Sequence, residues 1–246
     1  MKPVLFTDQD RLCLGLPEQP EASTLSVDFL DPALQHRVRN GTGGESVVKA
    51  TGNRPRNAEA HPGPHRLSEL NPEHHLIDAT CGLGTDAFIL ALAGWQVTML
   101  EQSPLIHALL EDGLKRASEA ASAQNNTAVA SALARMCLLP AGDSRQILAT
   151  LPPAAVIYLD PMFPERDKTA RVKKNRYLLQ QLHGEEADGT DLLKLALNHG
   201  RKIVVKRPAH AEPLDGLKPS GSINGKTARF DIYAGRAQIR SKADGE

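Results

Sequence analysis

Apolar positions along this chain fall into two regimes. Before about residue 70 they form short β-like pieces, "KPVLFT" and "LSVDFL", set between polar turns. A stretch rich in Gly, Arg and Asn follows, "RNGTGGESVVKATGNRPRN", in which a short helix is predicted at 45–51. "HPGPHRL" (61–67) then reads as a linker, because its prolines and glycine resist regular structure. From Leu76 apolar strands alternate with amphipathic helices. "HLIDA" is a strand and "TDAFILALAG" a helix ended by Gly94. "WQVTMLE" is a second strand, and "SPLIHALLEDGLKRASEAA" a second helix with Ser103 as N-cap and Pro104 at its first position. Beyond an Asn-rich polar bend, "RMCLL" is a third strand, "DSRQILATL" a short helix and "AAVIYLD" a fourth strand. "NRYLLQQLHG" and "DLLKLALNHG" are further helices, and "RKIVVKRP" and "RFDIYAG" the last strands. Such alternation implies right-handed parallel crossovers. The expected fold class is therefore α/β: a doubly wound, mostly parallel Rossmann-like sheet over residues 71–246, with a small N-terminal α+β extension over residues 1–70.

Composition narrows the class. With 246 residues, 41% of them hydrophobic and 24% charged, the chain can bury a core without disulfides. No apolar run approaches the ~18 residues of a membrane span. Asp8 and Asp10 interrupt the apolar patch of "MKPVLFTDQD", so no signal peptide is expected. Cys13, Cys81 and Cys137 have neither disulfide nor zinc spacing, so no metal is expected and a reducing cytoplasm is the expected setting. Basic and acidic residues balance at 29 each, but from Asp160 onward the basic ones lead 17 to 12. Most of that excess lies in "ERDKTARVKKNR" (165–176) and "RKIVVKR" (201–207). A charge run is usually a solvated face, yet patches like these also bind polyanions.

Sheets of this class bind ligands at the carboxyl ends of their strands. The first such turn reads Asp78-Ala79-Thr80-Cys81-Gly82-Leu83-Gly84-Thr85-Asp86. Gly82 and Gly84 let the backbone turn sharply and come close to a ligand. "GLGTDA" also satisfies the G-x-G-x-x-A of dinucleotide folds. Against a nicotinamide cofactor, Asp78 would repel a pyrophosphate and no phosphate-binding Arg or Lys lies nearby. A carboxylate there suits a cationic or hydroxyl-bearing ligand. Asp86 adds a second negative group in the first turn of the helix, where the dipole favours it. Glu101 ends the second strand 17 residues after Gly84, where an acid accepts hydrogen bonds from ribose hydroxyls, and Gln102 borders the same pocket. Asp143-Ser144 reads equally as an adenine contact or as a helix N-cap. Together these features match class I S-adenosylmethionine methyltransferases, with partners in order for the methionyl ammonium, the ribose diol and the adenine.

The fourth strand runs into Asp160-Pro161-Met162-Phe163-Pro164. Pro161 fixes its own φ and holds Asp160 extended, aiming the Asp160 carboxylate and the Pro161 carbonyl into the pocket. Phe163 offers a face on which a base can stack, worth ~1–3 kcal/mol in single-strand recognition. This arrangement suits an exocyclic amine, whose lone pair is delocalised into the ring. Acceptors for its N–H bonds turn that lone pair toward the methyl group. Asp160, Pro161 and Phe163 are thus the candidate catalytic residues.

Asp160-Pro161-Met162-Phe163 is similar to the D/N-P-P-Y/F signature of amino-methyltransferases, with Met162 in place of the second proline. Combined with "DATCGLGTDAF", "MLEQSP", "VIYLDPMFP", "IVVKRP" and "RFDIYAG", and upstream with "VDF", "HR" and "GESVVKATG", the chain strongly resembles the ribosomal RNA small subunit methyltransferase J family from about residue 25 onward. The resemblance implies methylation of N2 of a guanosine in bacterial 16S rRNA, with S-adenosylmethionine as cofactor and 16S rRNA or the small subunit as partner. It implies cofactor contacts at Thr85-Asp86, Glu101-Gln102, Asp143-Ser144 and Asp160, beside Asp78, Gly82 and Gly84. Thr85 and Gln102 stand where the family has arginines. The basic residues Arg166, Lys168, Arg171, Lys173, Lys174 and Arg176, with Lys206 and Arg207, would then face rRNA phosphates around a flipped guanosine. The N-terminal extension would add further contacts. Adenine N6 or a glutamine side chain as acceptor, and a non-catalytic rRNA assembly factor of the same fold, are the competing readings.

Overall fold

The computed structural model describes residues 3–15, 24–52, 67, 70–161, 189–225 and 227–237. At the N-terminus β1 (Val4–Asp8) and β2 (Arg11–Gly15) pair antiparallel. Their two-residue turn places Gln9 and Asp10 at φ 46° and 61°, a hand that matches the twist of the strands. Then come α1 (Pro32–Asn40) and α2 (Ser46–Thr51). Among the described residues seven strands form the central sheet: β3 (His75–Asp78), β4 (Gln96–Met99), β5 (Met136–Leu138), β6 (Ala154–Leu159), β7 (Gly200–Pro208), β8 (Gly221–Asn224) and β9 (Ala228–Ala234). Between them lie α3 (Thr85–Leu92), α4 (Pro104–Ala123), α5 (Thr127–Leu133), α6 (Ser144–Thr150) and α7 (Thr190–His199).

The strand order is β5-β4-β3-β6-β7-β9-β8. The first five are parallel; β9 runs antiparallel to β7, and β8 to β9. All six residues of β6 are buried, as a central parallel strand covered on both faces requires. Val156 and Tyr158 join one core, with Phe88, Trp95, Leu109 and Val129 of the α3–α5 side. Ile157 and Leu159 join the other, with Leu148 of α6 and Leu193 of α7. Chain order reverses between β3 and β6, and a reversal of this kind opens a crevice at the carboxyl ends of the strands.

The N-terminal residues pack into the first of these cores. Leu14, Leu25, Val27, Phe29, Val47 and Val48 share it with Leu76 and Phe88. Val27 packs against α4, where a Cβ on Gly113 would collide with the Val27 side chain. The Arg116 guanidinium donates to the Val27 carbonyl at 2.6 Å. The far end of α2 is held by the Trp95 indole, which donates to the Gly52 carbonyl at 2.8 Å.

Several elements depart from the sequence expectation. "LSVDFL" is not a strand: Leu25 makes one isolated bridge to Leu14, and the rest of the segment packs through side chains. β2, α1 and β8 were not expected. The Asn-rich bend gives way to α5, capped by Asn126, whose side chain accepts from the Val129 N–H at 3.2 Å. The expected helix "NRYLLQQLHG" and all but Leu67 of the expected linker "HPGPHRL" lie outside the described residues. Among the described residues no helix is long and apolar enough to cross a membrane.

Candidate active site

Three backbone connections knit the strand ends into one frame. The Ala79 N–H donates to the Tyr158 carbonyl at 3.0 Å, the Leu100 N–H to the Asp78 carbonyl at 2.9 Å, and the Cys81 N–H to the Leu100 carbonyl at 3.1 Å. The turn after β3 needs its second glycine for two reasons. Gly84 sits at φ +74°, and a Cβ there would lie 2.7 Å from Leu110 Cδ1 and 3.2 Å from Phe29 Cζ. A side chain would strain the backbone and push apart the layer beneath the turn.

Asp78, at the end of β3, is 1% exposed, and its Oδ1 accepts the Thr80 N–H at 3.3 Å. Burial pushes its carboxyl well above the ordinary range. Asp86 and Asp160 add to the push, while the Thr80 N–H and Lys206 oppose it. Glu101, after β4, is buried with both oxygens on backbone donors. The Gly82 N–H reaches Oε2 at 3.0 Å and the Ser103 N–H reaches Oε1 at 2.7 Å. The strand-two acid therefore fixes the glycine turn.

Asp160 continues from β6, its N–H donating to Thr80 Oγ1 at 2.6 Å. Pro161 is buried, and its ring sits close to Gly189 at the start of α7. Lys206 of β7 joins two carboxylates, donating from Nζ to Asp160 Oδ2 and to Asp86 Oδ2, each at 2.8 Å. The Tyr158 hydroxyl donates to the same Asp86 oxygen at 2.7 Å. Burial alone would raise the Asp86 carboxyl. The charge and hydrogen bond of Lys206, the Tyr158 hydroxyl and the more distant Arg37 hold it below the ordinary range instead. Burial would likewise lower the Lys206 ammonium, but Asp86 and Asp160 more than reverse that and raise it. The Tyr158 phenol is pushed well up by burial and then by Asp86, Asp160 and Asp78, so it stays a proton donor.

Of the residues expected from the sequence, Asp78, Gly82, Gly84, Thr85, Asp86, Glu101, Asp160 and Pro161 meet around the ends of β3, β4 and β6. Gln102 follows Glu101 and is exposed. Asp143 caps α6, accepting from the Arg145 N–H at 2.9 Å and pairing with its guanidinium at 2.8 Å; that hydrogen-bonded pair lowers its carboxyl. Ser144 is buried at the first position of the same helix. Phe163, Arg166, Lys168, Arg171, Lys173, Lys174 and Arg176 lie outside the described residues. Lys206 and Arg207, expected to face RNA phosphates, lie on β7. Lys206 bridges the two carboxylates, and Arg207 is 8% exposed with its guanidinium on the Glu212 carbonyl at 2.6 Å. Tyr158 and Thr80 were not anticipated. A phenol inside a fully buried apolar strand was the available signal, because its hydroxyl must find a partner. Among the described residues no cluster of His, Cys, Asp and Glu is placed to hold a metal ion.

Comparison with known proteins adds independent information. Residues 1–235 match the family described as "Putative SAM-dependent methyltransferase". The ribosomal RNA small subunit methyltransferase J of Colwellia psychrerythraea is 39% identical over 222 residues, covering 89% of this chain and 74% of that protein. Its namesake from Agrobacterium fabrum is 42% identical over 210 residues, covering 84% and 90%. A crystal structure of a SAM-dependent methyltransferase from Neisseria gonorrhoeae superposes with a TM-score of 0.66 at 30% identity, covering 100% of this chain and 86% of that one.

Proposed function

This chain belongs to the ribosomal RNA small subunit methyltransferase J family of SAM-dependent methyltransferases, and from that premise we propose that it transfers a methyl group from S-adenosylmethionine to the exocyclic N2 of a guanosine in 16S rRNA. The observation that carries the proposal is Asp160. Its backbone is tied to the cofactor turn through Thr80 and its carboxylate to Lys206, at the switch point of the sheet. The residues present fit the cofactor. A turn opened by glycines is ringed by Asp78, Glu101 and Asp160, carboxyl groups suited to an ammonium, a sulfonium and a ribose diol. When bound, S-adenosylmethionine supplies an electrophilic methyl group on a positively charged sulfur.

This chain's own residues orient the nucleophile. Asp160 and the Pro161 carbonyl accept the N–H bonds of the guanine amine and turn its lone pair out of conjugation. When the amine nitrogen takes the methyl group, the C–S bond of the sulfonium would break with its electron pair staying on sulfur as a neutral thioether, and the amine's proton would leave to Asp160 or to solvent. Because the acceptors are held in place beforehand, positioning and fixed charge carry most of the rate. Phe163 stacks the flipped base. Arg166, Lys168, Arg171, Lys173, Lys174 and Arg176 follow it in sequence and supply charge for the surrounding phosphates. Residues 1–70 form an rRNA contact region and residues 71–246 the catalytic domain. A ribosomal substrate places this work in the cytoplasm.

The test is transfer of labelled methyl from S-adenosylmethionine to small ribosomal subunits from a strain lacking the gene, with nucleosides identified by mass spectrometry. Label in N2-methylguanosine, abolished by Asp160→Ala, is the expected result. Label in N6-methyladenosine or in protein glutamine, or cofactor binding without transfer to subunits or naked rRNA, would overturn it.

A further inference from the structure

We propose that Lys206 is a positioning residue for methyl transfer: it holds the Asp160 carboxylate in place and links it to Asp86 of the cofactor turn. The inference rests on the reading of Asp160 given above and concerns a residue that reading leaves unused. Its basis is geometric. Leu159 of β6 lies opposite Val205 of β7, so Asp160, just past the end of β6, comes beside Lys206, which is still paired within β7 to Phe230 of β9. One ammonium reaches Asp160 Oδ2 and Asp86 Oδ2 at the same 2.8 Å, forming the chain Tyr158–Asp86–Lys206–Asp160 across three elements. The side chain is partly withdrawn from solvent, 28% exposed, so it is no free surface cation.

The groups around this ammonium come from every side. Asp78 approaches from β3, Asp86 from α3, and Tyr158 and Asp160 from β6, with Arg37 of α1 acting on Asp86 from further away. Among the described residues here, acidic groups outnumber cations. Without Lys206, Asp86 and Asp160 would lose the cation that lies between them, and protonation of one would relieve their repulsion. A protonated Asp160 accepts an amine N–H less well, and one without the lysine's hydrogen bond is held less firmly.

The experiment uses the full chain and Lys206→Met and Lys206→Arg. Carboxyl carbon NMR titrations of Asp86 and Asp160, run without any acceptor, should move to higher pH in K206M and stay near wild type in K206R. With small subunits as acceptor, K206M should lose ~100-fold in kcat while KM for S-adenosylmethionine changes less than ~3-fold. The acidic limb of its pH profile should also shift upward, and K206R should recover part of kcat. If K206M does not fold, D86N/K206M removes one carboxylate with the lysine and carries the same Asp160 readout. Unchanged titrations, or a loss of kcat that K206R shares in full, would overturn the inference. Shifted titrations in a protein whose wild type leaves rRNA unmethylated would overturn the acceptor assignment and keep that of Lys206.

Discussion

Tyr158→Phe isolates one link of the site with little change in packing. The ring is 1% exposed, and only its hydroxyl, which donates to Asp86 Oδ2 at 2.7 Å, is removed. A hydrogen bond to a charged group contributes ~1.5–3 kcal/mol. Lys206 reaches the same oxygen at 2.8 Å, so Asp86 keeps a charged donor and the loss falls at the low end, about 1.5 kcal/mol. The sign with pH follows from the direction of the Asp86 shift. Its folded carboxyl lies below the ordinary range, so its contribution is fully present above the unfolded carboxylate value and is lost as pH falls through the depressed folded value. Removing one donor brings the folded value back toward the unfolded one. The deficit of the variant is therefore largest at neutral pH and shrinks in acid. Urea unfolding at a series of pH values from 7 downward measures it. A deficit below ~0.5 kcal/mol at pH 7, within the range of an ordinary surface change, or one that does not vary with pH, would refute the account of Asp86.

Asp143→Ala should cost about 1 kcal/mol of stability through loss of the α6 cap, with S-adenosylmethionine affinity nearly unchanged by calorimetry. A tenfold weaker affinity would instead assign Asp143 to the adenine. Charge reversal at Lys173 and Lys174 should weaken rRNA binding and reduce its log–log salt slope by about 2, one per phosphate contact. Filter binding across a salt series reads it, and an unchanged slope would make this run a solvated face.

The sheet was legible because its strands are apolar on both faces. "HLIDA", "AAVIYLD" and "RKIVVKRP" stand out from the amphipathic helices between them, and Ser103-Pro104 marked the start of α4 correctly. What escaped notice lacked contrast. The helix α5 is built of small residues, "TAVASAL", whose burial of Val129 and Ala132 depends on neighbours distant in sequence. The hairpin turn uses Gln9 and Asp10 at positive φ without the glycine that usually announces it. "LSVDFL" has the alternation of a strand, but Val27 and Phe29 are drawn down against α3 and α4. At the site, Lys206 was read with its basic neighbours. Only the adjacency of β6 and β7, a long-range fact, sets it beside Asp160.

Four carboxyl groups meet at this switch point, and three means stabilise them. Asp78 lies in a buried place that favours its proton. Glu101 has a backbone N–H on each oxygen, so its orientation is set by the turns it joins. Asp86 and Asp160 share one lysine. If all four were charged and unpaired, their repulsion and desolvation would oppose folding of the frame that holds them. With only water to neutralise them, they would have to reorganise each time a ligand entered. The arrangement observed avoids both: the acceptors are fixed before a cationic ligand arrives, which is the condition under which fixed charge accelerates a reaction. The lysine is central to this arrangement, since the backbone donors that serve Glu101 reach neither Asp86 nor Asp160, whereas Lys206 Nζ lies 2.8 Å from an oxygen of each.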